Sequence, residues 1–548
     1  MDNFHKFKTQ QKRQANLDGF FPSSGARQRP ITPNQGFRPQ TPAGGHVGQF
    51  KSTDGFHSAQ GRISGSKPTG RSPVRDTAGQ IQLTMPPAGS RARQNSKAKR
   101  GVRGWSKVAM KTFIGVIVTG VLVGGYLFGK GYLKARQIFK GGTAGAAALQ
   151  ENVDPTKLNG EGDGRVNVLL LGKGGEGHAG ADLTDTILIA SIDPIQKEAA
   201  LLSIPRDLWV KSKGSSMKIN AVYATSKSNV LNGKKIDNQK QEAEKAGFRA
   251  IEQVVEDTIG IPIQYHVMID FDGFKKAIDT VGGVDINVTD KTSVNEVLSI
   301  DGRRYVLDVD PGRQHFDGFR ALAYARSRYA SARGDFDRAE RQRLVILAMK
   351  EKIFSAGTFG NPLKISQLIS DFGNSMQSNL STNEVLRLYD IGKNIESSKV
   401  TSVGLADPPN NFVITDNING LSVVVPRAGI NDFSEIKAYV RNSLKDGFIR
   451  NENATIAVYN GTTIGGLAGS KATDLRSYGY NINVVADAPT KNYTKTILVD
   501  MRNGAKKYTK NYLEKRLGVS AVNSMPDNTI NPGSADFVII LGASESSN

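Results

Sequence analysis

The stretches "RVNVLLLG" (165–172), "DTILIASID" (185–193) and "EAALLSIP" (198–205) decide the fold class of this 548-residue chain. Each is a run of mainly branched, apolar residues of strand length, and short polar segments separate the three runs. Apolar-rich helical patterns follow at 242–258 and 271–281. Strands that alternate with helices through short connections predict a layered α/β domain.

Further patterns extend this domain toward the C-terminus. A strand-like run, "IQYHVMID" (263–270), lies between the two helical patterns, and "VDINV" (284–288) follows them. A long helix is predicted to begin near Phe336 and to run to about Phe354. Helical patterns at 364–372 and 381–397 close the domain.

The last hundred residues repeat the alternation on a smaller scale. A strand pattern at 454–459, a helix at 464–478 and a strand at 481–486 come before a later helix and a final strand that ends in "FVIILG". This order predicts a small α/β domain. It has no convergent group of ionisable residues, so a binding module and a structural spacer both stay open.

Candidate chemical groups lie at the ends of the predicted strands, where sites on sheet scaffolds usually lie. "SIPRDLWV" places Arg206 after the third strand, and "GADLTDT" places Asp182 and Asp185 just before the second. "KINAVYA" adds Lys218 and Asn220. Two carboxylates this close could bind a divalent cation through oxygen while substrate phosphates complete its shell. A turn or helix-cap role is the alternative for either aspartate.

An arginine-rich stretch, "YARSRYASARGDFDRAERQR" (324–343), is the strongest site signal. Within it, Asp335, Arg338 and Gln342 have the i, i+3 and i+7 spacing of one helix face, and Arg341 lies at the edge of that face. Arginines on a helix often face solvent and pair with nearby carboxylates, which is the alternative interpretation.

Two more arginines of this stretch, Arg326 and Arg328, alternate with small residues. That period-two pattern would point both side chains the same way if the segment were extended. The planar guanidinium suits phosphate oxygens, and several guanidinium groups in one place would repel one another without an anion between them. The pattern therefore predicts a phosphate-rich ligand.

Most of the net positive charge lies in an N-terminal tail. The formal net charge is +21, and residues 1–111 hold 20 Lys and Arg against 4 Asp and Glu. The tail is also rich in Pro, Gly, Ser and Gln and has almost no apolar periodicity, so it is predicted to be disordered. Cysteine is absent, which excludes disulfides and thiolate metal sites, and the six scattered histidines give little support to a zinc site.

One transmembrane helix is predicted after this tail. Residues 112–128, "TFIGVIVTGVLVGGYLF", carry no charge, and the residues on either side extend the segment to about the twenty needed to cross a bilayer. Eight Lys or Arg between residues 91 and 111 place the N-terminus in the cytoplasm by the positive-inside rule. The folded part then lies outside the cell membrane, so nucleic acid is not an expected partner, and the basic run is a topogenic signal and a contact for anionic lipids.

Several motifs occur in a fixed order along the larger domain. They are "NVLLLG" (167–172), "DTILIASIDP" (185–194), "SIPRDLWV" (203–210), "KINAVYA" (218–224), "VGGVDINV" (281–288), "ALAYARSR" (321–328) and "DFDRAERQ" (335–342). Together they resemble the LytR-CpsA-Psr family, and the resemblance spans roughly residues 165–355. Residues 456–480, "IAVYNGTTIGGLAGSKATDLRSYGY", resemble the LytR C-terminal domain.

The resemblance implies a membrane-anchored phosphotransferase of the bacterial envelope. Such an enzyme moves a glycopolymer phosphate from a polyprenyl-pyrophosphate lipid to peptidoglycan or another wall glycan, and slow pyrophosphate hydrolysis is an expected side activity. The implied fold is an α/β/α layered domain, with a central mixed sheet between helices and a hydrophobic groove for the polyprenyl chain. The residues carried over are Arg206, Arg326, Arg328, Arg338 and Arg341 for the pyrophosphate, Gln342 beside them, and Asp185 and Asp335 at acidic positions.

The chain departs from the commoner family pattern at two places, where it has Lys173 and Leu183. A family carboxylate that would bind the metal is therefore missing. Asp182 is the expected substitute, so Asp182 and Asp185 are the predicted ligands of a Mg²⁺ or Mn²⁺ ion. Lys173 could hold a phosphate oxygen directly.

Two other classes of function stay open, namely a scaffold that binds wall polymer without chemistry and a membrane-tethered transcriptional regulator. The oligomeric state is not predicted. The expected organisation is a disordered basic cytoplasmic tail (1–104), a transmembrane helix (105–130), an extracytoplasmic linker (131–164), the catalytic domain (165–400), a connecting segment (401–450) and the C-terminal domain (451–548).

Overall fold

The computed structural model describes residues 145–290, 294–300, 302–329, 332–355 and 375–547. The predicted tail (1–104), the predicted transmembrane helix (105–130) and the predicted helix at 364–372 lie outside the described residues. Among the residues described, no helix is both long and apolar enough to cross a membrane.

Strands and helices are numbered in chain order. The strands are β1 (Val166–Lys173), β2 (Thr184–Asp193), β3 (Glu198–Ser203), β4 (Trp209–Ser212), β5 (Ser215–Lys218), β6 (Tyr265–Asp270), β7 (Val284–Val288), β8 (Val294–Ile300), β9 (Arg303–Val309), β10 (Gly312–Phe316), β11 (Met376–Ser378), β12 (Val400–Gly404), β13 (Val413–Ile418), β14 (Leu421–Pro426), β15 (Thr455–Asn460), β16 (Asn481–Asp487), β17 (Ile497–Asp500) and β18 (Phe537–Leu541). The helices are α1 (Ala221–Leu231), α2 (Gln239–Ile259), α3 (Phe271–Thr280), α4 (Gly318–Arg326), α5 (Asp335–Phe354), α6 (Thr382–Gly392), α7 (Ser434–Ser443), α8 (Gly447–Glu452), α9 (Leu467–Ser477) and α10 (Lys507–Leu517).

A six-stranded sheet with the order β11-β6-β1-β2-β3-β12 forms the centre of the larger domain. Strands β1, β2 and β3 form an antiparallel meander, joined by a ten-residue loop and a four-residue turn. β6 lies parallel to β1, and β12 lies parallel to β3. The apolar runs at 165–172, 185–193 and 198–205 are therefore adjacent strands, and the predicted mixed sheet is confirmed.

Both faces of this sheet are covered, as the continuous apolar runs of its strands require. Side chains such as Leu169 and Ile189 point to one face and pack against helices α1, α2 and α7. Val166 and Val168 point to the other face, where α6, α8 and the segment before β1 cover them. This alternation within β1 follows from the period of two in a strand. The predicted α/β/α layering is present.

A third apolar cluster fixes the position of the arginine-rich stretch. It is formed by the β7–β10 pair, the β8–β9 hairpin and helices α3, α4 and α5. Phe316 and Tyr324 are fully buried in it. Because α4 and α5 both contribute apolar residues to this cluster, the polar residues between them are brought to the edge of the central sheet.

The C-terminal domain has a four-stranded mixed sheet with the order β16-β15-β18-β17 and helices α9 and α10, so the predicted small α/β domain is confirmed. It shares an apolar cluster with one face of the central sheet. The Asp446 carboxylate ties the two parts together, since it accepts hydrogen bonds from the amides of Gly162 and Gly164 and from the Tyr512 hydroxyl. Burial raises the pKa of Asp446.

The segment predicted to connect the two domains contributes to the larger one. Its strand β12 forms an edge of the central sheet, and its helix α7 covers one face. Similarly, the predicted linker contains two short 3₁₀ turns, Ala147–Leu149 and Pro155–Lys157. Ala148 and Leu149 of the first turn are buried. These segments are part of the folded unit because their apolar residues complete the core.

Candidate active site

A cavity of about 240 Å³ lies where β2 and the end of β3 meet the start of α5 and the β13–β14 hairpin. Its polar wall comes from four segments of the sequence, around residues 185, 203–207, 333–342 and 415–422, and its apolar wall includes Ile187, Val423 and Val424. The structure brings five residues predicted from the sequence to this lining. They are Asp185, Arg206, Asp335, Arg338 and Gln342.

Local sequence explains why these side chains arrive there. Strand β3 ends at Ser203, and Pro205 cannot continue the ladder because it has no amide hydrogen. The following turn is fixed to the β13–β14 hairpin, since the Val424 amide donates to the backbone oxygen of Asp207. Helix α5 begins after Gly334, whose φ of +54° is a conformation that glycine adopts easily.

The guanidinium of Arg206 is the centre of the site. Its Nη1 lies 2.8 Å from Oδ1 of Asp185, and its Nε lies 2.8 Å from Oδ2 of Asp335. Asp207 lies 3.5 Å from the same Nε. Burial alone would lower the pKa of Arg206, but these three carboxylates raise it above its ordinary value. Arg206 is therefore a permanent cation that bridges two elements.

Asp335 is held ionised by the arginines around it. Burial opposes ionisation, but the charges of Arg338, Arg206 and Arg328 lower the pKa of Asp335 to about 2. At neutral pH this carboxylate is an orienting group and a very weak base.

Arg338 is the most enclosed cation of the cavity, with 8% of its surface exposed. Its Nη2 donates to the backbone oxygen of Asp185 at 2.9 Å, and its Nη1 lies 3.4 Å from Asp335. Burial and the charge of Arg206 lower its pKa from the ordinary value. Its buried Nε has no hydrogen-bond partner among the described residues. An unpaired buried donor between cations is suited to an anionic ligand.

Arg326 and Arg328 take different directions from those predicted. Helix α4 continues to Arg326, so the segment is not extended there, and the guanidinium of Arg326 stacks 4.7 Å from the Phe271 ring centroid. Arg328 points toward the cavity side, with Nη1 3.9 Å from Oδ1 of Asp335. The condition for a shared direction, an extended segment, is therefore not met at Arg326, and Arg326 is not among the lining residues.

Arg341 is not among the residues that line the cavity. Its side chain is almost fully buried, its Nη2 lies 2.7 Å from Oδ1 of Asp290, and its Nη1 donates to the backbone oxygen of Ser327. These contacts point to a structural role, and the binding of substrate by Arg341 stays a prediction. Gln342 donates to the backbone oxygen of Ala325 and lines the cavity.

Lys218 and Asn220 lie beside the Arg206 group. Lys218 Nζ is 2.9 Å from Oδ1 of Asp207, and Asn220 Nδ2 is 3.4 Å from Oδ1 of Asp185. Asn220 also precedes α1, and its backbone oxygen accepts from the Thr184 amide. These two side chains hold the aspartates in place and do not line the cavity.

The Asp182 carboxylate lies between two lysines. Lys173 Nζ is 2.8 Å from Oδ1, and Lys227 Nζ is 3.0 Å from Oδ1 and 2.9 Å from Oδ2. Burial raises the pKa of Asp182, but the two ammonium groups outweigh burial and lower it. Across the described ranges, no group of three or more His, Asp or Glu side chains is arranged to hold a metal ion.

Sequence reasoning missed Lys227 and Arg333. Lys227 lies seven residues after Asn220, the spacing of one helix face, so α1 brings both to the same side. Arg333 lines the cavity and pairs with Asp337 at 2.6 Å. The i, i+4 spacing of Arg333 and Asp337 was a readable signal of that pair.

The chain matches two family profiles. Residues 133–435 match the LytR_cpsA_psr family, and residues 453–544 match the domain described as "LytR cell envelope-related transcriptional attenuator". The first match covers more than half of the chain.

Several curated relatives have printed functions. The chain is 32% identical over 241 residues to the polyisoprenyl-teichoic acid–peptidoglycan teichoic acid transferase TagV of Bacillus subtilis, which covers 42% of this chain and 54% of that protein. It is 30% identical over 226 residues to TagU of Enterococcus faecalis, and the match covers 40% of this chain and 64% of that protein. It is 26% identical over 375 residues to the cell wall biosynthesis protein LcpA of Corynebacterium glutamicum, and the match covers 64% of this chain and 68% of that protein. The chain thus spans about half to two-thirds of the length of these relatives.

Solved structures are also similar. The crystal structure of B. subtilis TagV has 27% identity and a TM-score of 0.39, covering 51% of this chain and 97% of that one. A structure of TagT bound to LIIa-WTA has 22% identity and a TM-score of 0.39, covering 55% and 97%.

Proposed function

This chain belongs to the LytR_cpsA_psr family, and from that premise we propose that it transfers a glycopolymer phosphate from a polyprenyl-pyrophosphate carrier to peptidoglycan or another wall glycan. Relatives carry the names of teichoic acid transferases that act between a polyisoprenyl carrier and peptidoglycan. The donor glycan of this chain need not be teichoic acid, so the proposal keeps the broader class of wall glycopolymers.

The observation that carries the proposal is the Arg206 guanidinium, which bridges Asp185 and Asp335 at the wall of the cavity. Phosphoryl transfer needs fixed positive charge around the phosphate oxygens and little covalent chemistry from the protein. Arg206 and Arg338 supply that charge, and the unpaired Nε of Arg338 is available to a phosphate oxygen. Carboxylates that hold the arginines in place reduce the reorganisation needed when the donor binds.

In the proposed reaction, an acceptor hydroxyl attacks the phosphorus that carries the glycopolymer. A new P–O bond forms to the acceptor, and the bond from that phosphorus to the bridging oxygen breaks. Polyprenyl monophosphate leaves with the electron pair. The reaction exchanges a phosphoanhydride bond for a phosphate ester bond and needs no oxidant or reductant.

The hydroxyl proton goes to the leaving phosphate in this account. The pKa of Asp335 is about 2, whereas the second pKa of a phosphate monoester is about 6. The leaving group is therefore the stronger base. Water in place of the sugar hydroxyl would give slow hydrolysis of the pyrophosphate by the same route.

The cellular setting is part of the proposal. The uncharged segment before the described residues would anchor the chain in the cell membrane, with the basic tail in the cytoplasm and the catalytic domain outside. The magnesium ion stays a prediction from the sequence, and no step above depends on it.

A transfer assay tests the proposal. The purified chain in detergent would be incubated with a fluorescent polyprenyl-pyrophosphate-linked glycan and a peptidoglycan acceptor, and both polyprenyl monophosphate and labelled acceptor would be measured. The proposal predicts equal amounts of the two products. Binding of the donor without release of monophosphate would instead support a non-catalytic scaffold.

A further inference from the structure

Asp182 is enclosed by cations on both sides. The ammonium groups of Lys173 and Lys227 contact it at distances between 2.8 and 3.0 Å, and both lysine side chains are mostly buried, with 14% and 13% exposed. Lys173 is the last residue of β1, and Lys227 lies on α1. Because two separate elements fix the lysines, this cluster is part of the fold and not a chance surface pair.

An aromatic ring supports both lysines. The Tyr223 ring centroid lies 5.9 Å from Lys173 Nζ and 5.8 Å from Lys227 Nζ. Tyr223 is fully buried against α2, where Gly247 leaves room for its ring. Both ammonium groups are therefore held in position before any ligand arrives.

A divalent cation does not fit at Asp182 with these neighbours. Both carboxylate oxygens already accept hydrogen bonds from ammonium groups. A metal ion on either oxygen would have to displace Lys227 or lie beside two positive charges, and like charges this close repel strongly at partly buried positions. This disagrees with the expectation that Asp182 replaces the missing family carboxylate as a metal ligand.

The ion pairs of the Asp182 cluster leave positive charge in excess, because two lysines share one carboxylate. The Arg206 group places more cations beside Asp185. Its cations are Arg206, Lys218, Arg328 and Arg338, and its carboxylates are Asp185, Asp207 and Asp335.

A pyrophosphate diester carries two negative charges, which suits a site with cations from both groups. The groups lie on neighbouring elements, since Asn220, the residue before α1, donates to Asp185, and Lys227 lies on α1. Each ammonium group has three donor hydrogens, more than its contacts with Asp182 use. The remaining donors can hold phosphate oxygens.

We propose that Lys173 and Lys227 bind an oxygen of the donor pyrophosphate and supply the charge that a divalent cation would supply at Asp182, so that transfer by this chain does not require a divalent cation. This inference rests on the proposed function and adds to it the residues that hold the pyrophosphate. The bond changes are those given above, and the lysines only donate hydrogen bonds.

Two measurements on the full chain in detergent test the inference. Transfer rates are compared in EDTA and in magnesium, and Mn²⁺ binding without donor is followed by the loss of the free-ion signal in electron paramagnetic resonance. The variants are Lys173→Met, Lys227→Met and Asp182→Asn. Lys240→Met is the control, because Lys240 is exposed on α2 and outside the cluster.

The parent and Lys240→Met should transfer at the same rate in EDTA and magnesium, within about twofold, and bind no Mn²⁺ tightly. Lys227→Met should lose at least roughly tenfold in EDTA, as expected for a lost charged contact to phosphate, and recover part of it in magnesium. It should also bind one Mn²⁺, because Oδ2 of Asp182 becomes accessible while Lys173 stays on Oδ1. Lys173→Met should show the same loss in EDTA.

The opposite pattern would overturn the inference. In one such outcome, EDTA inactivates the parent. In the other, the parent binds Mn²⁺ and the Asp182→Asn variant does not. If the parent transfers nothing under either condition, the proposed function fails, and the Mn²⁺ titration still decides the metal question. Mn²⁺ bound by Lys227→Met and not by the parent would then support the lysine cluster, and any other result would reject it.

Discussion

Replacing Arg206 by lysine keeps the positive charge but removes the two-nitrogen contact, so it shows which of the two the transfer requires. The guanidinium uses two nitrogens, Nη1 toward Asp185 and Nε toward Asp335, each at 2.8 Å. A lysine has a single nitrogen and cannot form both bonds, although the positive charge remains. One charge-assisted hydrogen bond contributes about 1.5–3 kcal/mol. If that amount is lost from the transition state, kcat/KM should fall by roughly 10- to 150-fold.

Initial transfer rates of Arg206→Lys and the parent would be compared with the labelled donor. Arg427→Lys is a matched control, because Arg427 also bonds through two nitrogens to a carboxylate, that of Glu435, but lies outside the cavity lining. The control should keep the parent rate. An Arg206→Lys variant with normal thermal stability and a rate within about twofold of the parent would refute the role given to the bridge.

Three further predictions concern residues of the site and its surroundings, and a fourth concerns the membrane topology. Arg338→Ala should lower transfer at least roughly tenfold in the same assay, with donor binding weakened, because it removes a charged contact to phosphate. Arg341→Ala should lower the free energy of unfolding by about 3–5 kcal/mol in denaturant titrations, since Asp290 is left without its buried partner. Asp335, whose pKa falls from 3.8 to about 2 on folding, stabilises the fold above pH 3.8, and that stability should be lost as the pH falls toward 2 in thermal scans. Protease added to intact protoplasts should remove the folded domains and spare the basic tail.

Much of the fold was predictable because its signals are local. The apolar runs that became β1, β2 and β3 have strand length and lie between short turns, so their boundaries differ from the prediction by at most two residues. The helix face of Asp335, Arg338 and Gln342 follows from helical periodicity alone, and all three reach the cavity.

Tertiary partners explain what the sequence did not predict. Arg338 and Arg341 are three residues apart on one helix, yet one lines the cavity and the other pairs with Asp290, 51 residues away. Spacing along a helix predicts the direction of a side chain but not the group that the side chain contacts. The direction of the Arg326 side chain could not be predicted, because α4 ends at Arg326 and the alternating pattern that begins there also suits an extended chain.

Lys227 shows the same limit from the other side. Lys227 belongs to none of the motifs that predicted the site, and only the fold places it against Asp182. The prediction of Asp182 as a metal ligand depended on a missing carboxylate and a nearby one, and it did not consider cations from α1. A charge becomes interpretable only when its neighbours on every packed element are known.

The most direct test of the transfer itself follows the bridging oxygen of the donor. A polyprenyl-pyrophosphate-linked glycan with ¹⁸O in the bridge would be converted by the purified chain in the presence of acceptor, and both products would be analysed by mass spectrometry. Attack at the glycopolymer phosphorus predicts that all of the ¹⁸O leaves in polyprenyl monophosphate and that the acceptor gains an unlabelled phosphodiester. Label retained with the glycopolymer, or no phosphorus joined to the acceptor, would contradict the account.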